Sequence, residues 1–190
     1  IATMPKSVPK SVPKPVPELA PKPQPATQPN RLITTDWNRW QRWLLRIRQE
    51  RGLTAGERRL AQRVFGEAID YERVRLIASD WLWQRHALAP NGKVYFHPND
   101  FSDDFSSERL EIQGWLIHEL THVWQFQQGM AVARRALVDR RYAYVLEQGK
   151  TFLQYGIEQQ AQMVQDWFLA RERGEACEKW ACVPFVDNGQ

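Results

Sequence analysis

His118, Glu119 and His122 form an H-E-x-x-H pattern, and residues of these types at this spacing can bind a metal and activate water. On a helix, positions i and i+4 share one face, so both imidazoles reach a single ion. Glu119 follows the first histidine, where its carboxylate reaches a water beside that ion. Two nitrogen ligands and an adjacent base are the core of a zinc hydrolase. The chain has four histidines, and this motif uses two of them. The competing reading is a pair of hydrogen-bonded core histidines.

A catalytic zinc usually takes three protein ligands and keeps a fourth position open. A third histidine on the same segment would need Gly at 125 and His at 128. The chain has Gln125 and Gln128, which excludes that arrangement. The other arrangement draws a glutamate from a later helix. Glu158 fits it, opening the stretch Glu158-Gln-Gln-Ala-Gln-Met-Val-Gln-Asp166 after Gly156 gives the chain a turn. Asp166, Asp104 and His97 are the alternatives, and Glu158 has a plainer reading as an acid at a helix N-terminus. Tyr155, Tyr142 and His97 are candidate donors to a developing oxyanion. Gln162 and Asp166, one and two turns after Glu158, are candidates to orient a ligand.

Several elements must position these groups. Apolar residues at 112, 115, 116, 120 and 123 recur at helical spacing and predict a buried helix around the motif. Ser106 or Ser107 would cap its start and Gly129 its end. Upstream, Asp36 caps a predicted helix whose stripe is Trp37, Trp40, Leu44 and Ile47, running to Gly52. Thr54-Ala-Gly-Glu57 is a capping box that opens a helix through Phe65. Residues 74–78 read as a strand, with Arg75 and Ser79 on its other face, and residues 94–96 as a second strand after the Asn91-Gly92 turn. A helix is expected over 131–146, and Gly149 and Gly156 bracket a connection. The last helix spans 158–173 with Ala161, Val164, Trp167 and Phe168 inward. The nine tryptophans are assigned mostly to these apolar stripes. The fold expected is α+β, mostly helical and zincin-like, with a small sheet before the metal-binding helix. An edge strand of that sheet would align an extended substrate.

Residues 1–30 read as a separate, Pro/Lys-rich extended linker, with the folded domain over 31–190. Prolines stand at 5, 9, 13, 15, 17, 21, 23, 25 and 29, and Lys-Ser-Val-Pro occurs twice, a composition that favours polyproline conformation. The reading is a tether to an N-terminal carrier; a ligand for an aromatic groove is the alternative. The formal charge is +4, of which four lysines against one glutamate in residues 1–30 hold +3, leaving +1 for the rest. So neutral a body argues against nucleic-acid binding. No run of 18 apolar residues suggests a membrane span, and residues 1–30 lack the apolar core of a signal peptide. The chain opens on Ile1, which reads as a fragment of a longer protein or an engineered product. Cys177 and Cys182 are read either as a local disulfide or as two reduced thiols.

His118-Glu-Leu-Thr-His-Val-Trp-Gln125 followed by Tyr155-Gly-Ile-Glu-Gln-Gln-Ala161 resembles the zinc-metallopeptidase domains at the C-termini of VgrG spike proteins of bacterial type VI secretion systems. Leu53-Thr-Ala-Gly-Glu57, Phe65-Gly66 and Tyr95-Phe-His-Pro98 also look like that family, so the similarity spans most of residues 53–170. The resemblance implies Glu158 as the third zinc ligand and Glu119 as the base of an endopeptidase. It implies an antibacterial effector that acts in the target cell's periplasm on proteins or peptidoglycan peptides, carried there by the spike and matched by a cognate immunity protein. A periplasmic site would permit a Cys177–Cys182 bridge. Two other classes compete: a catalytically inactive binding or targeting module, and a structural tip whose Pro/Lys segment does the recognition.

Overall fold

The computed structural model describes residues 46–130 and 142–185. The expected linker, the expected first helix up to residue 45, and residues 131–141 lie outside them. The described part is mixed α and β, with three helices and one four-stranded sheet.

The sheet runs β1 (Ile47–Arg51), β2 (Arg75–Ser79), β4 (Lys93–Phe96), β3 (Ala87–Leu88) across its width. β1 is antiparallel to β2, β4 is parallel to β2, and β3 is antiparallel to β4. β4 is therefore an interior strand, and β1 and β3 are the edges. Leu76, Val94 and Phe96 face the main core, while Ile77 and Tyr95 join Leu82 in a small cluster on the other face.

Three helices complete the fold. The first, α1 (Ala55–Phe65), opens on the expected capping box: Glu57 N donates to Thr54 Oγ1 at 3.0 Å and Thr54 N to Glu57 Oε2 at 2.8 Å. Glu57 is fully buried and does more than cap. Arg51 forks onto both its oxygens at 2.7 Å, and Phe105 N donates to it at 2.8 Å. One carboxylate thus ties the end of β1, the start of α1 and the approach to α2 (Leu110–Gln127). The middle of α2 is buried on every side from Leu116 to Gln125. It ends where Gly129 takes φ 77°, a left-handed turn that lets Met130 N reach Gln125 O at 2.9 Å. The third, α3 (Ile157–Glu172), packs along α2. Close approach depends on Gly114, where an added Cβ would stand 2.9 Å from Leu169 Cδ2.

Several expectations are corrected. Ile47–Arg51 does not end a helix; Gln49, Glu50 and Arg51 pair with Ala78, Ile77 and Leu76, and that pairing overrides the helical spacing. The strand expected over 74–78 runs Arg75–Ser79, and both its faces are covered from Leu76 through Ser79 because β2 lies inside the sheet. Residues 142–146 are not helical, since side chains hold their backbone in other directions: Gln159 donates to Ala143 O at 2.7 Å and Tyr155 to Val145 O at 3.2 Å. Ser106 and Ser107 do not cap α2. They sit in a separate single turn (Phe105–Ser107) that Asp104 captures by accepting from Ser106 N at 3.0 Å. Gly156 has φ −61°, so its place before α3 needs no special backbone freedom. Trp124, Trp167 and Trp180 are core, but Trp81 and Trp83 on the β2–β3 connection are 58% and 81% exposed. Cys177 and Cys182 are separate thiols, whose pKa burial raises in both cases.

Candidate metal centre

The motif histidines sit at the buried middle of α2 and Glu158 in the first turn of α3. Where the two helices cross, one ligand atom from each of His118, His122 and Glu158 lies within 4.8 Å of the others. His118 Nε2 is 3.5 Å and His122 Nε2 3.2 Å from the same oxygen, Glu158 Oε2. Ligands held about 2.0–2.1 Å from a tetrahedral zinc stand roughly 3.3 Å apart, so these separations suit one small ion between the three side chains. Two neutral nitrogens and a carboxylate oxygen are a donor set that zinc accepts.

The electrostatics agree with a site built for a cation. Burial would push the Glu158 pKa up, but hydrogen bonds from both histidines outweigh it and hold the carboxyl at about 2. Burial likewise opposes charge on His122, yet Glu158 and the nearby Glu119 charge raise its pKa. Glu119 is different. Its environment is set first by burial, which raises its pKa against the pull of the two histidines, and its Oε2 makes no hydrogen bond. A buried, partnerless carboxylate oxygen beside the ligands is a costly feature unless it receives a proton or a water.

The remaining expected site residues are distributed unevenly. Tyr142 is beside the cluster, its ring centroid 6.0 Å from that of His118. Tyr155 is spent elsewhere: its hydroxyl donates to Val145 O and accepts from Glu147 N at 2.9 Å. His97 accepts from Asn99 N through Nδ1 at the end of β4, and Asp104 caps its own turn. Gln162 and Asp166 bond each other, Gln162 Nε2 donating at 2.8 Å, and Asp166 accepts from Tyr144 at 2.7 Å. With Tyr142, Tyr144 and Trp180 they line an open groove of about 570 Å³ that reaches the cluster's side through Tyr142 and is lined by none of the three ligands.

Two residues bonded to the site escape the sequence reasoning. Gln125, given no role there beyond excluding a third histidine and closing the stretch that carries the resemblance, has its Oε1 2.8 Å from His122 Nδ1. Gln160 meets Gln125 at 3.0 Å. The i, i+3 spacing of His122 and Gln125 on one helix face could have found the first. The second needs the α2–α3 crossing and carries no local signal.

Comparison with known proteins places this geometry in a family. No family model matches the chain. The type VI secretion system spike protein VgrG2b of Pseudomonas aeruginosa is 47% identical over 139 residues, 66% of this chain. The chain spans only 14% of that protein's length. The solved effector domain of Pseudomonas aeruginosa VgrG2b superposes with a TM-score of 0.63 at 43% identity, covering 72% of this chain and 84% of that domain. Because the match takes in nearly all of the solved domain at this identity, the chain belongs to the family of the VgrG2b effector domain.

Proposed function

We propose that this chain is a zincin-like, zinc-dependent endopeptidase domain, delivered as an effector on a type VI secretion spike. The observation that carries the reading is the convergence of His118, His122 and Glu158 beside the buried Glu119, whose Oε2 has no hydrogen-bond partner. Family membership supports the delivery route, with an N-terminal spike as carrier in the full-length protein. Among the described residues no helix is long and apolar enough to cross a membrane. Periplasmic action, a protein or peptidoglycan-peptide substrate and a cognate immunity protein belong to the same proposal.

His118, His122 and Glu158 would hold a divalent ion. Such an ion would supply a Lewis acid for a peptide carbonyl and would lower the pKa of water from about 15.7 toward about 7. Glu119 Oε2 accepts a proton from the attacking water and passes it to the departing amine nitrogen. The unbonded Oε2 leaves that oxygen open to take and hold the proton between the two halves of that task. Burial of Glu119 and the ligands limits competing solvent. Tyr142, beside His118, is the favoured donor to the oxyanion, and the neighbouring groove is the favoured seat for substrate side chains.

Glu119→Gln tests the assignment. The variant is expected to keep bound zinc by elemental analysis and to lose peptide hydrolysis by a factor of about 10²–10⁴. Hydrolysis at the wild-type rate would overturn the assignment of Glu119. Zinc without turnover in the wild type would favour a binding module.

A further inference from the structure

Two buried amides join the helices that carry the ligands, and backbone carbonyls dictate which way each amide points. Gln160 Nε2 donates to Tyr155 O at 2.8 Å. A carbonyl only accepts, so Gln160 turns its Oε1 toward Gln125. Gln125 Nε2 then donates to Ile157 O and to Gln160 Oε1, both at 3.0 Å, which uses both its protons. The Oε1 of Gln125 is left facing His122 Nδ1 at 2.8 Å. An amide oxygen has no proton to give, so Nδ1 must be the donor. With Nδ1 committed as a donor, Nε2 is the nitrogen left to ligate an ion; without one it bonds Glu158 Oε2 at 3.2 Å. A histidine in water carries its neutral proton mainly on Nε2, so this chain of amides reverses the ring's own preference.

We infer that Gln125 is the positioning residue of the metal centre and acts on two ligands at once. Through Oε1 it makes Nε2 the ligating atom of His122. Through Ile157 O it fixes the residue directly before Glu158, and so the placement of the third ligand. Gln160 braces the amide that does both. Gln125 and Gln160 are 0% and 1% exposed, and a buried network with its bonds made holds one orientation. His118 has no equivalent, since its buried Nδ1 has no hydrogen-bond partner. The first histidine is oriented by packing and the second by this relay. The inference rests on the cluster binding a metal.

The test reads the hydrogen-bond state apart from turnover. Long-range proton–nitrogen NMR on the Zn²⁺-loaded full chain, ¹⁵N-labelled at histidine, is expected to show His122 protonated at Nδ1 and ligating through Nε2. Gln125→Leu is expected to shift it toward the Nε2-protonated form. Competition for Zn²⁺ against a chromophoric chelator is expected to show affinity lowered about 10- to 100-fold. Gln160→Leu leaves the Ile157 anchor in place and is expected to keep the Nδ1-protonated form with a smaller loss, which serves if Gln125→Leu does not fold. Wild-type His122 protonated at Nε2, or Zn²⁺ bound as tightly after Gln125→Leu, would overturn the inference. A wild-type chain that takes up no Zn²⁺ would strike the metal reading itself.

Discussion

Four side chains carry the proposed chemistry, and the charges of two, Glu158 and His122, make the metal-free protein sensitive to pH on both sides. Glu158 is held at about 2, below the ordinary 4.5, so its contribution to stability is present above 4.5 and is lost as pH falls through about 2. His122 is shifted the opposite way, above 6.5, so its contribution is present below 6.5 and is lost as pH rises through the raised value. Thermal unfolding in the presence of a chelator should therefore give a highest Tm between these limits. Glu158→Gln should flatten the acid side, and an unchanged acid side would refute that role for Glu158. At this scale the motif is legible in sequence because one helix carries His118, Glu119 and His122 at fixed spacing. Glu158 is partly legible from the helix it opens. Gln125 is half legible, from its i, i+3 spacing to His122, and Gln160 is not, because what it does depends on which carbonyls lie across the helix crossing.

The elements place those side chains by bringing α2 against α3, and at Gly114 an added Cβ would stand 2.9 Å from Leu169 Cδ2. Gly114→Val should push Leu169 aside and part the helices, costing about 1–3 kcal/mol by overpacking. Because two ligands ride on α2 and one on α3, zinc affinity should fall with stability in the same variant. Chemical denaturation and metal titration check the pair of effects, and lowered stability with unaltered affinity would mean that the helix spacing does not set the site. The elements whose signals are local are those readable in advance: α1 from its capping box, α3 from its apolar face, β2 and β4 from their short apolar runs. β1 is misread as helix because its pairing partner lies on β2, far along the chain. The segment 142–146 is misread because Tyr155 and Gln159 occupy its backbone. β3, with two residues, is too short to announce itself.

The whole molecule carries a candidate metal site in a family named for a spike effector, and its Pro/Lys-rich residues 1–30 are read as a tether. If they only connect, a chain beginning at residue 31 should match the full chain in zinc affinity and in intrinsic hydrolysis of a peptide. A loss of either would give the segment a part in the site. The central claim is that one ion, held by His118, His122 and Glu158, makes this domain a peptidase. The most direct measurement is hydrolysis of a peptide library by metal-free protein as zinc is added back in known equivalents. The account predicts no cleavage without metal and activity that saturates at one zinc per chain. Full cleavage by the metal-free protein, or one tightly bound zinc with no cleavage of any peptide, would contradict it.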